Sequence, residues 1–541
     1  MDNEIFAEKD SPKVEVTIPN QGTLTGFTLK NPANGKLTSN RFARIPYALP
    51  LKKRFTLPEP IPDDYDYTGE YRDFGFKCPQ PVYESKQIVY PKSESDEHIQ
   101  YLNVWVPASD KYKPKTGWPV LIYIHGGWLQ YGSPNKDMFN VVELMDDENF
   151  QEKYILVTLG YRLNIFGFLT CKELLEENPK NSNMGFWDQR EGIKWVYKYI
   201  KYFGGDPEKI TVSGLSAGSY STFFQLAYEL YHPEETQIIK QVVFYSNMVF
   251  SQPKTIDECE DQFNEVVDKL GMNNLTGPEK LEKLRSFDFE FLEEFVPKLE
   301  LHTFRAVSDS HFIAPTILGD IQSGKFSKLL IDKNLRIVHG ETDNEFYLYS
   351  LFNPPTSLDT LPIEIENYYP RKVVPTLMDV YQVKDKIDPD SPELEQQLID
   401  MFGKITGDGQ VYASTRGFIN NVMKGGFPSE RYFRYRVGYR GKWLDKFMPP
   451  EVKVTHAYDQ SIWFYILRNG YSDSEKSKMT EFVKPFLDFL NFKEDIGDWD
   501  TSDFKKFRWF KPDGSIVYEE DPDWDWGVKV AENVYRAQLE E

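Results

Sequence analysis

Gly214-Leu215-Ser216-Ala217-Gly218 is the segment of this chain whose residue types and spacing suit covalent chemistry. Glycine two residues either side of a serine fits a turn so tight that its flanks must be nearly free of side chain. The β-branched run Ile210-Thr211-Val212 enters the pentapeptide, and an apolar, helix-like pattern leaves it. Strand, sharp turn and helix would raise the Ser216 hydroxyl at the C-terminal edge of a sheet, as a nucleophile for acyl transfer. Alone, Gly-x-Ser-x-Gly arises by chance about 0.1–0.2 times in a chain of this length. It equally describes a glycine-rich turn with a solvated serine. The chemistry requires a base, an orienting acid and an oxyanion site elsewhere.

A serine hydroxyl is a poor nucleophile at neutral pH, and histidine is its natural base. The chain holds seven histidines: His98, His125, His232, His302, His311, His339 and His456. Where a sheet carries such an elbow, the partners follow in the order serine, acid, histidine, which removes His98 and His125. Ile337-Val338-His339-Gly340 reads as a strand ending in a turn, and the loop after it offers Glu341, Asp343 and Glu345. If the acid lies there, His456 is the only histidine left after it. It sits in Thr455-His456-Ala457-Tyr458-Asp459, after Pro449-Pro450 and before an expected apolar helix, Ile462 to Leu467. His125-Gly126-Gly127-Trp128 follows an apolar strand and suits a loop whose backbone N–H groups cradle an oxyanion. The expected donors are Gly127, Trp128 and Ala217.

These groups need a scaffold that brings strand ends together. Val120 to Ile124, Tyr154 to Leu159, Val242 to Tyr245 and Leu335 to Val338 read as buried strands. A helix is expected over Asp188–Ile200, broken by Gly204-Gly205-Asp206-Pro207 before a strand at Lys209. The succession indicates a mostly parallel sheet with helices on both faces, and ligands at the carboxyl ends of its strands. The charged stretch from Asp257 to Leu301 reads as a helical excursion, and Lys506 to Tyr518 as a peripheral hairpin around Pro512-Asp513-Gly514.

Composition narrows the function classes. A net charge of −21 argues against nucleic-acid binding, which needs basic surface. No stretch approaches the ~20 apolar residues of a membrane span, and the start, MDNEIFAEKDSPKVEV, lacks the pattern of a secretory leader. The three cysteines, Cys78, Cys171 and Cys259, read as buried thiols rather than a disulfide framework or a metal site. A cytoplasmic location is the expectation.

Together these motifs resemble the type-B carboxylesterase family, the cholinesterase-like branch of the α/β-hydrolases, over nearly the whole chain. Arg41-Phe42-Ala43-Arg44-Ile45-Pro46-Tyr47-Ala48 with Arg54-Phe55, Tyr101-Leu102-Asn103-Val104-Trp105, and Asn183-Met184-Gly185 with Asp188-Gln189-Arg190 are similar to its signatures. Phe203 to Pro207 leads into the elbow, and His456 with Asp459 fits its H-x-x-D. The resemblance implies one α/β-hydrolase domain over residues 1–541, with helical excursions about a twisted, mostly parallel sheet. It favours Glu345 as the acid, giving a Ser216, Glu345 and His456 triad.

The implied function is a carboxylic-ester hydrolase acting through an acyl-enzyme on small to medium hydrophobic esters. No metal or cofactor is implied, and the expected partner is a small-molecule ester. A lipase, an amide or lactone hydrolase with the same triad, and a non-catalytic binding protein of the same fold are the alternatives. Oligomeric state stays open. Leu215 stands where the family usually has Glu, and no tryptophan lies between Cys78 and Tyr101, where cholinesterases hold a quaternary ammonium. Both argue for an esterase other than a cholinesterase. Ile99 stands at the position of the cysteine that pairs with the Cys78 equivalent in secreted members.

Overall fold

The computed structural model describes residue 6, residues 11–83 and residues 94–540. Most of the N-terminal start, and part of the tryptophan-free window before Tyr101, lie outside the described residues.

Strands β1 (Lys13–Ile18), β2 (Gly22–Lys30), β3 (Leu37–Pro46), β4 (Tyr101–Pro107), β5 (Trp118–Ile124), β6 (Ile155–Leu159), β7 (Gly205–Leu215), β8 (Gln241–Tyr245), β9 (Arg336–Thr342), β10 (Tyr432–Val437), β11 (Lys506–Phe510) and β12 (Ile516–Glu520) build one sheet. Their order is β1-β2-β3-β4-β6-β5-β7-β8-β9-β10-β11-β12, with Gly69–Glu70 added beside β2 to make thirteen strands. Pairing is parallel from β6 through β5, β7, β8, β9 and β10 to β11. It is antiparallel at both flanks. The sequence shows why. β5, β6 and β8 are buried at every position, as a strand covered on both faces must be, whereas β1 alternates exposed with covered residues.

Alternate residues of the central strands feed two different cores. Val120, Ile122 and Ile124 of β5, with Val242 and Phe244 of β8, pack on helices α1 (Met184–Tyr199), α2 (Ala217–Tyr231) and α3 (Ile256–Lys269). Leu121, Tyr123, Val243 and Tyr245 point the other way. They meet Phe482, Phe486 and Leu487 of a later helix, Asp473–Leu490. Each such aliphatic or aromatic side chain contributes about 1.5–3 kcal/mol when fully covered.

The Asp-Gln-Arg motif on α1 locks this helix in place. Asp188 accepts from Arg162 Nε (2.7 Å) and Nη2 (2.8 Å), Gln189 donates to Ser221 Oγ of α2 (3.1 Å), and Arg190 pairs with Glu229 (2.8 Å). All of these charged groups are buried.

Several expected boundaries move. α1 starts at Met184, because Asn183 takes a left-handed conformation (φ 50°) with its side chain held by Asp309. β7 starts at Gly205 rather than Lys209, since a register shift between Gly205 and Ile210 absorbs the Asp-Pro break. The expected helix Ile462–Leu467 is instead a short turn of helix, Gln460–Trp463; Tyr465 at φ 53° ends it. The excursion from Asp257 to Leu301 folds as α3, α4 (Gly277–Ser286) and α5 (Phe289–Phe295). β11 and β12 form the expected hairpin, turning at Gly514 (φ 84°) on the sheet edge. Cys78, Cys171 and Cys259 are buried free thiols. Among the described residues no helix is long and apolar enough to cross a membrane.

Candidate active site

The carboxyl ends of β5, β7, β8 and β9 lie side by side, so the residues just past them share one edge. Past β7 comes Ser216, at φ 57° and ψ −124°, and α2 begins immediately after it. A non-glycine residue held there carries about 1–3 kcal/mol of strain. The two glycines make the turn possible. A Cβ on Gly214 would stand 2.2 Å from the Gly218 carbonyl, and one on Gly218 would stand 2.0 Å from the Ile124 oxygen. Elbow and β5 therefore touch backbone to backbone. Ser216 keeps part of its surface open, while Leu215 is buried in the second core beside Tyr245 and Trp463. The Ser216 amide donates to the Tyr245 carbonyl (2.8 Å).

The loop after β9 meets the loop carrying His456. Asn344 pairs with Thr455 in an isolated parallel bridge, and its amide donates to the Val454 carbonyl (2.9 Å). This brings Glu345 Oε2 to 2.6 Å from Nδ1 of His456, both side chains being buried. The other carboxylate oxygen accepts from the Thr342 amide (2.7 Å) and the Ser246 hydroxyl (2.8 Å). Burial pushes the Glu345 carboxyl up, but the His456 imidazole, the Thr342 amide and Ser246 together hold it below its usual range. Nε2 of His456 is buried and has no hydrogen-bond partner among the described residues. It is the nitrogen left over to take a proton. Tyr349 packs beside His456, the two rings 5.2 Å apart.

The other two carboxylates of this loop face elsewhere. Glu341 is clamped by Arg416 (2.8 and 2.9 Å), and Asp343 pairs with Arg436 (3.0 Å). Three of the four other histidines past the elbow also have other company: His232 meets Glu234, His302 meets Glu364, and His339 meets the Tyr432 hydroxyl.

Past β5, His125-Gly126-Gly127-Trp128 passes directly over the elbow; a Cβ on Gly126 would stand 2.5 Å from the Leu215 oxygen. Gly127 (φ 114°) and Trp128 (φ 61°) take left-handed conformations. The Gly126 carbonyl accepts from His125 Nδ1 (2.9 Å). In a planar trans peptide this also fixes the Gly127 N–H, which points opposite to that carbonyl. Burial pushes the His125 imidazole down to about 3, so it serves as a neutral donor. Its ring stacks on Tyr161 at 4.4 Å. The amides of Gly127, Trp128 and Ala217 have no hydrogen-bond acceptor among the described residues.

Sequence reasoning missed the residues that surround these groups. Ser246 was findable, since it directly follows β8 at the same sheet edge; its φ of 50° aims the hydroxyl at Glu345. Tyr349 and Tyr368 carry no local signal. Tyr368 stacks on the Trp128 indole (4.4 Å, 25°), and Tyr83 and His302 lie against its other sides. The indole thus joins an aromatic wall over the elbow.

Residues 10–525 match the profile described as the carboxylesterase family. The chain is 44% identical to an uncharacterized esterase/lipase of Schizosaccharomyces pombe, over 96% of each chain. It is 34% identical to a carboxylic ester hydrolase of Gibberella moniliformis over 94% of each, and 26% identical to an acetylcholinesterase of Bungarus fasciatus over 83% of this chain and 74% of that one.

Proposed function

The chain belongs to the carboxylesterase family and is an ester-hydrolysing enzyme of the α/β-hydrolase fold, and on that premise we propose that Ser216, His456 and Glu345 perform the hydrolysis. The 2.6 Å contact between Glu345 and His456 beside the elbow is the observation that carries this reading.

Ser216 attacks the ester carbonyl while Nε2 of His456 takes its proton. Glu345 holds the Nδ1–H tautomer and balances the imidazolium charge. The amides of Gly127, Trp128 and Ala217 receive the oxyanion, in a geometry preset by the His125 contact to Gly126. His456 then protonates the leaving alkoxide, and water attacks the acyl-enzyme by the same route. The unpartnered Nε2 fits a resting enzyme in which the hydrogen bond to serine tightens with substrate in place. The aromatic wall over the elbow favours small to medium hydrophobic acyl and alcohol groups.

The test is turnover of short aryl esters, with phosphonate labelling of Ser216. Ser216→Ala and His456→Ala should each lose activity by about 10⁴-fold or more. Full activity in either variant would overturn the assignment.

A further inference from the structure

A cavity reached by Tyr220, one helical turn past the elbow, carries charge that the hydrolytic machinery does not use. Its walls include Tyr220, Asn247, Lys254, Arg305, Tyr368 and Tyr369. Three of these tie it to the reaction site. Tyr220 lies one helical turn past Ser216, its amide donating to the Ser216 carbonyl (3.0 Å). Asn247 follows Ser246, which holds Glu345, and Tyr368 stacks on Trp128.

Lys254 is only 3% exposed, and its Nζ has no hydrogen-bond partner among the described residues. Burial pushes its ammonium below the usual lysine range, the charge of Arg305 adds to this, and Cys259, Glu366 and Glu258 oppose it. Those two carboxylates are already engaged. Glu258 accepts from the Thr255 and Arg371 amides, and Glu366 from Arg371 Nε. Arg305 reaches the same cavity; its guanidinium donates weakly to the Asn367 carbonyl (3.3 Å) and lies over the Tyr368 ring (5.9 Å). The two cations come from adjoining segments, since Lys254 pairs with Val307 in a parallel bridge. A buried, unpaired ammonium beside a guanidinium is costly in a protein interior unless an anion meets it. In a chain of net charge −21 such a pairing is not surface background.

We propose that this cavity takes a carboxylate carried by the substrate, so that the preferred esters are half-esters of dicarboxylic acids; this rests on the hydrolase reading of Ser216. The Lys254 ammonium and the fork of Arg305 bind the distal carboxylate while the ester carbonyl lies at Ser216. The anion supplies the partner that the Lys254 ammonium lacks, and the aromatic wall covers the methylenes between.

The test compares an aryl hemiglutarate with its neutral isostere, the aryl ester of 5-methylhexanoic acid. In the wild type kcat/KM should favour the hemiglutarate by about tenfold or more. Lys254→Met should collapse that ratio, chiefly through KM for the anionic ester, and Lys254→Arg should keep it. Arg305→Gln gives an independent reading if Lys254→Met fails to fold. An equal preference in the wild type, or an unchanged ratio in folded variants, would overturn the proposal. Free glutarate supplies a readout apart from turnover: it should raise the melting temperature of Ser216→Ala and do so less when Lys254→Met is added. Should neither ester turn over and Ser216 resist labelling, the hydrolase reading fails. Glutarate stabilisation that depends on Lys254 would then leave the anion site standing, and its absence would remove both.

Discussion

Glu345 and His456, 111 residues apart in the chain, meet carboxylate to imidazole at 2.6 Å. One oxygen faces the ring, and the other is held by the Thr342 amide and the Ser246 hydroxyl. Glu345→Gln keeps the size of this side chain but loses the charge and can hold the wrong tautomer. Steady-state kinetics on an aryl ester should show kcat reduced by about 10²–10⁴-fold. KM should change little. An unaltered kcat would mean that His456 is oriented by some other group.

His125 acts through the loop rather than on substrate. Its Nδ1–H fixes the Gly126 carbonyl, and through that peptide the Gly127 N–H. His125→Ala should lower kcat by about 10- to 100-fold, less than outright loss of an oxyanion donor. Phosphonate labelling should slow in parallel, because that adduct uses the same amides. Circular dichroism should be unchanged.

Asp459 makes stability depend on pH. Burial, and then the nearby Glu345 charge, push its carboxyl from 3.8 up to about 6. The folded protein thus keeps this proton through a range where the unfolded chain has released it. Its contribution favours the fold at low pH and is lost as pH rises through roughly 4 to 6, a change of about 3 kcal/mol. Asp459→Asn removes this term. Denaturant titrations should show the variant gaining on the wild type between pH 4.5 and pH 7.5 by about 2 kcal/mol, the part of that change that falls in this window. A difference that does not vary with pH would refute it.

Gly218 faces the Ile124 oxygen, with 2.0 Å left for a Cβ. Neither side can yield, because both are backbone, one in the first turn of α2 and the other at the end of β5. Gly218→Ala should destabilise the protein by about 3–5 kcal/mol, read as a lower melting temperature or as insoluble expression. Ser219→Ala, one residue on, removes a single hydrogen bond to the Asn247 carbonyl and should cost about 1 kcal/mol.

The sheet and the elbow were legible because each depends on local pattern. All-buried β-branched runs announce parallel strands, and the spacing of Gly214 and Gly218 announces a turn whose steric need is visible in the contacts. His456 could be reached by order and elimination. Glu345, however, was one of three carboxylates in five residues. Local sequence does not reveal that Arg416 and Arg436 take the other two, because both arginines come from distant elements. The same holds for Lys254: a lysine before a helix reads as solvated, and only packing buries it. The helix expected over Ile462–Leu467 failed for a backbone reason, the left-handed Tyr465, which no apolar pattern reports.

The parallel order of the sheet brings together groups at positions 216, 345 and 456 that no short fragment contains. Closing those long loops costs chain entropy before any contact rewards it, so the last pairings form slowly. Recovery of ester turnover after dilution from denaturant should therefore lag the return of helical signal. In this enzyme, catalysis is a clock for the completion of folding.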